Sequence, residues 1–156
     1  MISQLPFRYT GEGADATDGF PLLANTGGGY KVGYGDYGRL LNQSSADYLA
    51  MLASRNFDVV ADFVLLDEVL FEPYLSALAD IPVLFVGLYC NADTLSERNE
   101  NRKDRAVGLS VNQQEKIHFC EKYYDIKLDS TNHSSGDLAT SLFDHLQQNS
   151  PTPGFV

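Results

Sequence analysis

The stretch from Glu97 to Gly108 reads ERNENRKDRAVG. On a helix, Arg98, Arg102 and Arg105 stand four and three residues apart and share one face. Like charges at that spacing repel, by about a few tenths of a kcal/mol per pair. No acidic residue lies three or four positions from any of them. Two chemistries fit. The arginines could form a solvated helix face that salt-bridges to another element. Alternatively they could form a lid over a polyphosphate, whose arrival relieves the repulsion. Arginine suits the second role because its planar fork grips phosphate oxygens bidentately and stays charged.

Other chemistry-bearing residues are scattered. Gly33, Gly35 and Gly38 spell G-Y-G-D-Y-G, a formal match to the dinucleotide fingerprint. That fingerprint requires a strand before it and a helix opening within it, whereas the preceding residues here are glycine and tyrosine. A flexible loop is the plainer reading, with Tyr30, Tyr34 and Tyr37 available to line a small-molecule pocket. No phosphate-cradling G-x-x-x-x-G-K-[ST] occurs anywhere in the 156 residues. His133 and His145 have no evident partner, and no Ser-His-Asp arrangement can be assembled. Cys90 and Cys120 match no metal or redox spacing and read as reduced, buried and inert.

Elements must position these residues. Residues 10–38 are rich in Gly, Tyr and small polar side chains and read as loop, with a short hairpin around Tyr30–Val32. SADYLAMLASR (45–55) carries a helical apolar stripe behind a serine cap. FDVVADFVLL (57–66) and PVLFVGLYC (82–90) are near-continuous apolar runs, the pattern of strands buried on both faces. A short helix around 72–79 separates them. Helices from about Asp93 and over about 110–122 follow, then a strand YDIKLDS (124–130) and a helix over about 136–148. The tail NSPTPGFV is expected to be loose. This alternation predicts an α/β protein whose parallel sheet contains 58–66, 82–90 and 124–130, with helices on both faces. Ligands of such sheets bind at the carboxyl ends of the strands. Asp62–Glu68, Cys90–Asp93 and Asp129–Thr131 lie near those ends.

Composition sets the outer bounds. At 156 residues and 44% hydrophobic, the chain is one globular domain. A net charge of −10 argues against general nucleic-acid binding, which wants a basic surface. No apolar run approaches the length of a membrane span, and the first residues have neither a basic start nor an apolar signal core. A cytoplasmic location is the default expectation.

Taken in order, FDVVADFVLL, PVLFVGLYC, the R-x-x-x-R-x-D-R helix (Arg98, Arg102, Asp104, Arg105), AVGL, His118 and YDIKLDST resemble the chloramphenicol phosphotransferase-like family. The resemblance runs from about Met1 to the last helix. It implies a P-loop kinase-like three-layer sandwich that moves the γ-phosphate of ATP to a hydroxyl of a small molecule such as the antibiotic. By position, Arg98, Arg102 and Arg105 become catalytic lid arginines that neutralise the transferring phosphoryl group. Asp62 becomes a support for Mg²⁺ or its waters, where turn capping is the plainer role. Asp129, Ser130 and Thr131 become a cofactor-binding loop near the adenine, where ordinary turn chemistry serves almost as well. His118 matches a family histidine and reads more simply as a satisfied core or surface histidine. Residues 10–38 correspond to the acceptor side.

The departure lies at the front. The family opens with a strand, the Walker loop, its helix and a second strand ending in the aspartate that serves as base, and MISQLP aligns after that aspartate. The expectation is therefore a single domain over 1–148, incomplete at the N-terminus, whose binding of ATP and Mg is doubtful. It is either an incomplete phosphotransferase, inactive by itself, or a non-catalytic remnant that binds a small molecule or a partner. The expected partners are a small-molecule hydroxyl acceptor and, through bared sheet edges, a second copy of the chain. Neither nucleic acid nor membrane is expected.

Overall fold

The structure is a computed structural model that describes residues 9–102, 106 and 108–155. Its first element is the expected hairpin. Strand β2 (Phe20–Ala24) pairs antiparallel with β3 (Tyr30–Val32) in the register Leu22–Val32, Leu23–Lys31 and Ala24–Tyr30. Gly28 and Gly29 turn the chain between them at φ of 97° and 69°, a region that disfavours any Cβ. A two-residue strand, β1 (Thr10–Gly11), adds in parallel to β2.

Helix α1 (Asp36–Ser54) starts well before the expected Ser45. Ser44 and Ser45 do not cap it, because their hydroxyls donate back to the carbonyls of Leu40 and Leu41 at 2.9 and 2.7 Å. The start is held from a distance by Asp18. Its Oδ1 accepts from the Tyr37 amide at 3.3 Å and its carbonyl from the Gly38 amide at 3.0 Å. Helix α2 (Glu68–Ala77) is capped by Asp67, whose Oδ1 accepts from the Leu70 amide at 3.1 Å. It lies against α1, where the Asn42 amide donates to the Leu70 carbonyl at 2.8 Å.

The core gathers around α2. Phe71, 2% exposed, has the rings of Phe155, Phe85 and Tyr123 at centroid distances of 5.2, 5.4 and 5.4 Å. Ala46, Leu65, Leu70, Tyr74, Leu78 and Cys120 complete the buried cluster. Both cysteines are buried and free.

Strand β5 (Val86–Tyr89) pairs in parallel with β6 (Ile126–Asp129), from Val86–Ile126 to Tyr89–Asp129. Between them run α3 (Ala92–Glu100), α4 (Leu109–Ile117) and a 3-10 turn (His118–Tyr123). Helix α5 (Ser135–Gln148) follows β6 behind a Ser134–Asp137 capping box.

Three expectations need correction. The run 57–66 forms no strand among the described residues, and its first half is exposed: Val60 is 101% accessible and Phe57 60%. Only its end turns inward, with Phe63 against the Tyr74 ring at 4.8 Å and Leu65 in the core. β-Branched side chains favour a strand only where a neighbouring strand exists to pack against, and among the described residues no strand pairs with this run. The run 82–90 divides into β4 (Pro82–Val83) and β5. The tail is not loose. Strand β7 (Thr152–Pro153) pairs antiparallel with β4, the Gly154 amide donates to the Ile81 carbonyl at 3.0 Å, and Phe155 enters the aromatic core. Of the expected parallel sheet, the described residues form the β5–β6 pair, within a mixed α/β fold of helices and three small sheets.

Candidate functional site

The carboxyl ends of β5 and β6 carry a knot of polar residues. Past β6, the Ser130 amide and hydroxyl both donate to the Tyr89 carbonyl, at 2.7 and 2.9 Å. The guanidinium of Arg98 reaches over from α3. Its Nη1 donates to Ser130 Oγ at 3.0 Å and to Cys90 Sγ at 3.4 Å, and its Nη2 donates to the Ser130 carbonyl at 2.7 Å. The Asn91 amide donates to Thr131 Oγ1 at 2.9 Å, and the Thr131 amide to Asp129 Oδ1 at 2.8 Å. Bonds from Thr131 hold the Asp129 carboxyl below its ordinary range. The structure thus brings Arg98 together with Asp129, Ser130 and Thr131.

Arg98 and Arg102 do not share a helical face. Helix α3 ends at Glu100 with Asn101 as its C-cap, so Arg102 stands past the helix, and Arg105 lies outside the described residues. The cause is Asn99, a polar side chain only 7% exposed. Its amide donates to the Ala106 carbonyl at 3.4 Å, and its Oδ1 accepts from the Ser110 hydroxyl at 2.9 Å. These bonds tie the end of α3 to the start of α4. Gly108, at φ 72°, opens α4 in a conformation that favours glycine.

A second feature lies where β3, the start of α2 and α4 meet. Lys31, Val32, Tyr34, Leu66, Asp67 and Lys116 line a small cleft of about 80 Å³. Tyr34 donates to Asp67 Oδ2 at 2.5 Å, and burial together with that carboxylate pushes the phenol up to about 12. Asn112 of α4 fastens the hairpin to this wall by donating to the carbonyls of Gly28 and Tyr30, at 3.0 Å each. Of the three tyrosines singled out from the sequence, Tyr34 alone lines the cleft. Tyr37 stacks on Tyr9 at 4.5 Å, and Tyr30 is exposed. The lysines gave no local signal because 85 positions separate Lys31 from Lys116.

Residues 24–147 match the family model of the chloramphenicol phosphotransferase-like proteins. The chain belongs to that family. No curated protein matches it. As a chloramphenicol phosphotransferase-like protein it raises the question of where a nucleotide's phosphates could sit. The glycine turn 33–38 has both flanks of the fingerprint after all, with β3 before it and α1 opening inside it. Its amides are nonetheless used up by the chain itself. Gly35 donates to the Gly19 carbonyl at 2.9 Å and Gly38 to that of Asp18 at 3.0 Å. A Cβ on Gly35 would stand 2.3 Å from the Thr17 carbonyl oxygen, so this glycine admits residues 17–19 rather than a pyrophosphate. The described residues form no phosphate cradle.

Asp62 is exposed within the run 57–66. Among the described residues, no three His, Cys, Asp or Glu side chains converge as a metal site. Mg²⁺ in kinases takes only one or two carboxylates, with phosphates and water completing its shell, and Asp62 offers one. His118 is half-buried. Its ring stacks on Tyr89 at 3.8 Å, and its Nδ1 shares a hydrogen bond with the Tyr124 hydroxyl at 3.1 Å. No helix of the described residues is long and apolar enough to cross a membrane.

Proposed function

We propose that this chain serves a small-molecule O-phosphotransferase, in which phosphate passes from ATP to a hydroxyl of an antibiotic-like acceptor within a P-loop kinase-like sandwich. The family match over 24–147 carries this reading, because it spans both the hairpin–α4 cleft and the α3–α4 region. The cleft beside Tyr34 and Asp67 receives the acceptor. Arg102 and Arg105 meet the phosphoryl group as it transfers. Arg98, bonded to Ser130, holds the Asp129–Thr131 loop on the nucleotide side, and Asp62 supports Mg²⁺. The partner is a hydroxylated small molecule, not nucleic acid or membrane. Self-association through the exposed 57–64 run accompanies it in the isolated chain.

The phosphate cradle is not among these residues, so the test supplies one. A βαβ unit bearing G-x-x-x-x-G-K-[ST] is fused ahead of Met1, and Mg-ATP binding is verified by calorimetry. Transfer of label from γ-labelled ATP is then followed to chloramphenicol and other hydroxylated acceptors. Label on an acceptor, lost on Arg102→Ala or Arg105→Ala, supports the proposal. A fusion that binds Mg-ATP yet labels none of the acceptors overturns it. The unfused chain is expected to bind Mg-ATP only weakly, since the loop amides and lysine that supply phosphate affinity are absent.

A further inference from the structure

The charge balance of the cleft runs against that of the chain. Acidic residues outnumber basic ones 21 to 11 overall. Among the residues lining the cleft, two lysines face one carboxylate. That carboxylate is already engaged on both oxygens. Asp67 Oδ1 accepts from the Leu70 amide, where it also meets the positive end of α2, and Oδ2 accepts from the Tyr34 hydroxyl. Neither Lys31 nor Lys116 forms an ion pair among the described residues. The Asn112 side chain is likewise committed, to the hairpin carbonyls. Gln113 also lines the cleft with a neutral amide, so the free charge of the cleft is cationic, beside the apolar Val32 and Leu66.

Size narrows the ligand further. Pockets that swallow a drug-sized molecule measure on the order of 300–1,000 Å³. A cleft of about 80 Å³ takes a headgroup. We infer that the cleft between Lys31 and Lys116 binds a compact anionic group, a carboxylate or a phosphate, carried by the hydroxylated acceptor. Resting on the phosphotransferase reading, this narrows the acceptor from a neutral alcohol to a hydroxylated anion. Tyr34 and Asp67 are positioning residues here. Their mutual bond keeps the carboxylate turned to tyrosine and the helix start, leaving both ammonium groups for the ligand.

The test is direct binding to the intact 156-residue chain, with no nucleotide present. Amide chemical shifts are followed on titration with glycerol 3-phosphate, glycerate and glycerol. The expected result is saturable shifts at residues 31–34 and 112–116 with one or both anions and none with glycerol, the anion that binds better identifying the headgroup. Lys31→Gln and Lys116→Gln should each weaken binding about tenfold, as for a lost charge-assisted hydrogen bond. Lys31→Arg and Lys116→Arg should retain it and serve as folded controls. Equal binding of glycerol, anion binding insensitive to both Gln variants, or no saturable shift overturns the inference. The two readings fail separately. Anion binding at the cleft with a fusion that transfers no phosphate sinks the kinase and keeps the cleft. Transfer to neutral alcohols without anion binding does the reverse.

Discussion

Arg98→Ala separates the two roles open to this arginine, because they predict changes of opposite sign. On a face of mutually repelling arginines, removing one would leave stability unchanged or raise it by about a few tenths of a kcal/mol. In the observed structure Arg98 donates to Ser130 Oγ, the Ser130 carbonyl and Cys90 Sγ, joining α3 to the ends of β5 and β6. Hydrogen bonds to a charged group contribute about 1.5–3 kcal/mol each where they are shielded. Arg98 is exposed, so solvent can replace its guanidinium at the Ser130 acceptors, and the Ser130 amide and hydroxyl keep the bonds they donate to the Tyr89 carbonyl. The three contacts together should then contribute about 1.5 kcal/mol after solvent screening. For a chain of this size that is a fall of roughly 3–6 °C in Tm. Urea denaturation of wild type, Arg98→Ala, Ser130→Ala and the double variant measures it. The cycle should give a coupling of about 0.5–1 kcal/mol, since Ser130→Ala spares the bond to the backbone carbonyl. A loss below about 0.5 kcal/mol for Arg98→Ala, or strict additivity, refutes the clamp.

Burial pushes His118 below its ordinary value near 6.5, so the unfolded chain takes up a proton before the folded one does. Its contribution is complete above pH 6.5 and is lost as pH falls from there toward the folded value; His118→Gln should flatten that part of a stability–pH curve measured by urea titration. Asn99→Ala should destabilise by about 1–3 kcal/mol in thermal or urea unfolding, because it removes the buried bonds to the Ser110 hydroxyl and the Ala106 carbonyl that tie α3 to α4. Gly35→Ala should lower Tm by several degrees, consistent with overpacking of about 1–3 kcal/mol, because the new methyl meets the carbonyl oxygens of Thr17 and Asp18 at 2.3 and 2.5 Å.

How much of this was legible in the sequence depended on whether the deciding contact was local. The parallel pairing of β5 with β6 was readable, since two apolar runs separated by helices leave little alternative. So was the hairpin, marked by its glycines. The start of α1 was not, because its cap is Asp18, 18 positions before the first helical residue, Asp36. The cleft was half-legible. Tyr34 announced itself within a glycine-tyrosine stretch, while Lys116 looked like any surface lysine until α4 brought it opposite Lys31. The row of arginines misled for a physical reason. Helical spacing implies a shared face only while the helix lasts, and the buried Asn99 ends this one before Arg102.

The run 57–66 states the same lesson in its strongest form. FDVVADFVLL and the VGLY of β5 both read as interior strand, and one lies exposed while the other is paired. The difference is not in the side chains. Leu65 and Phe63 pack as well as any core residue once α2 stands beside them. Val59, Val60 and Val64 stay exposed, and no described strand pairs with them. A strand is a relation between two segments, and hydrophobic patterning reports only one partner's readiness for it. The same holds for the chemistry. Arginines, glycines and lysines each advertise phosphate, but Arg98 spends its fork on Ser130 and Gly35 gives its space to residues 17–19. Among the described residues Lys31 and Lys116 combine the right chemistry with a place left open for a ligand, and for that reason the cleft is where an acceptor should first be sought.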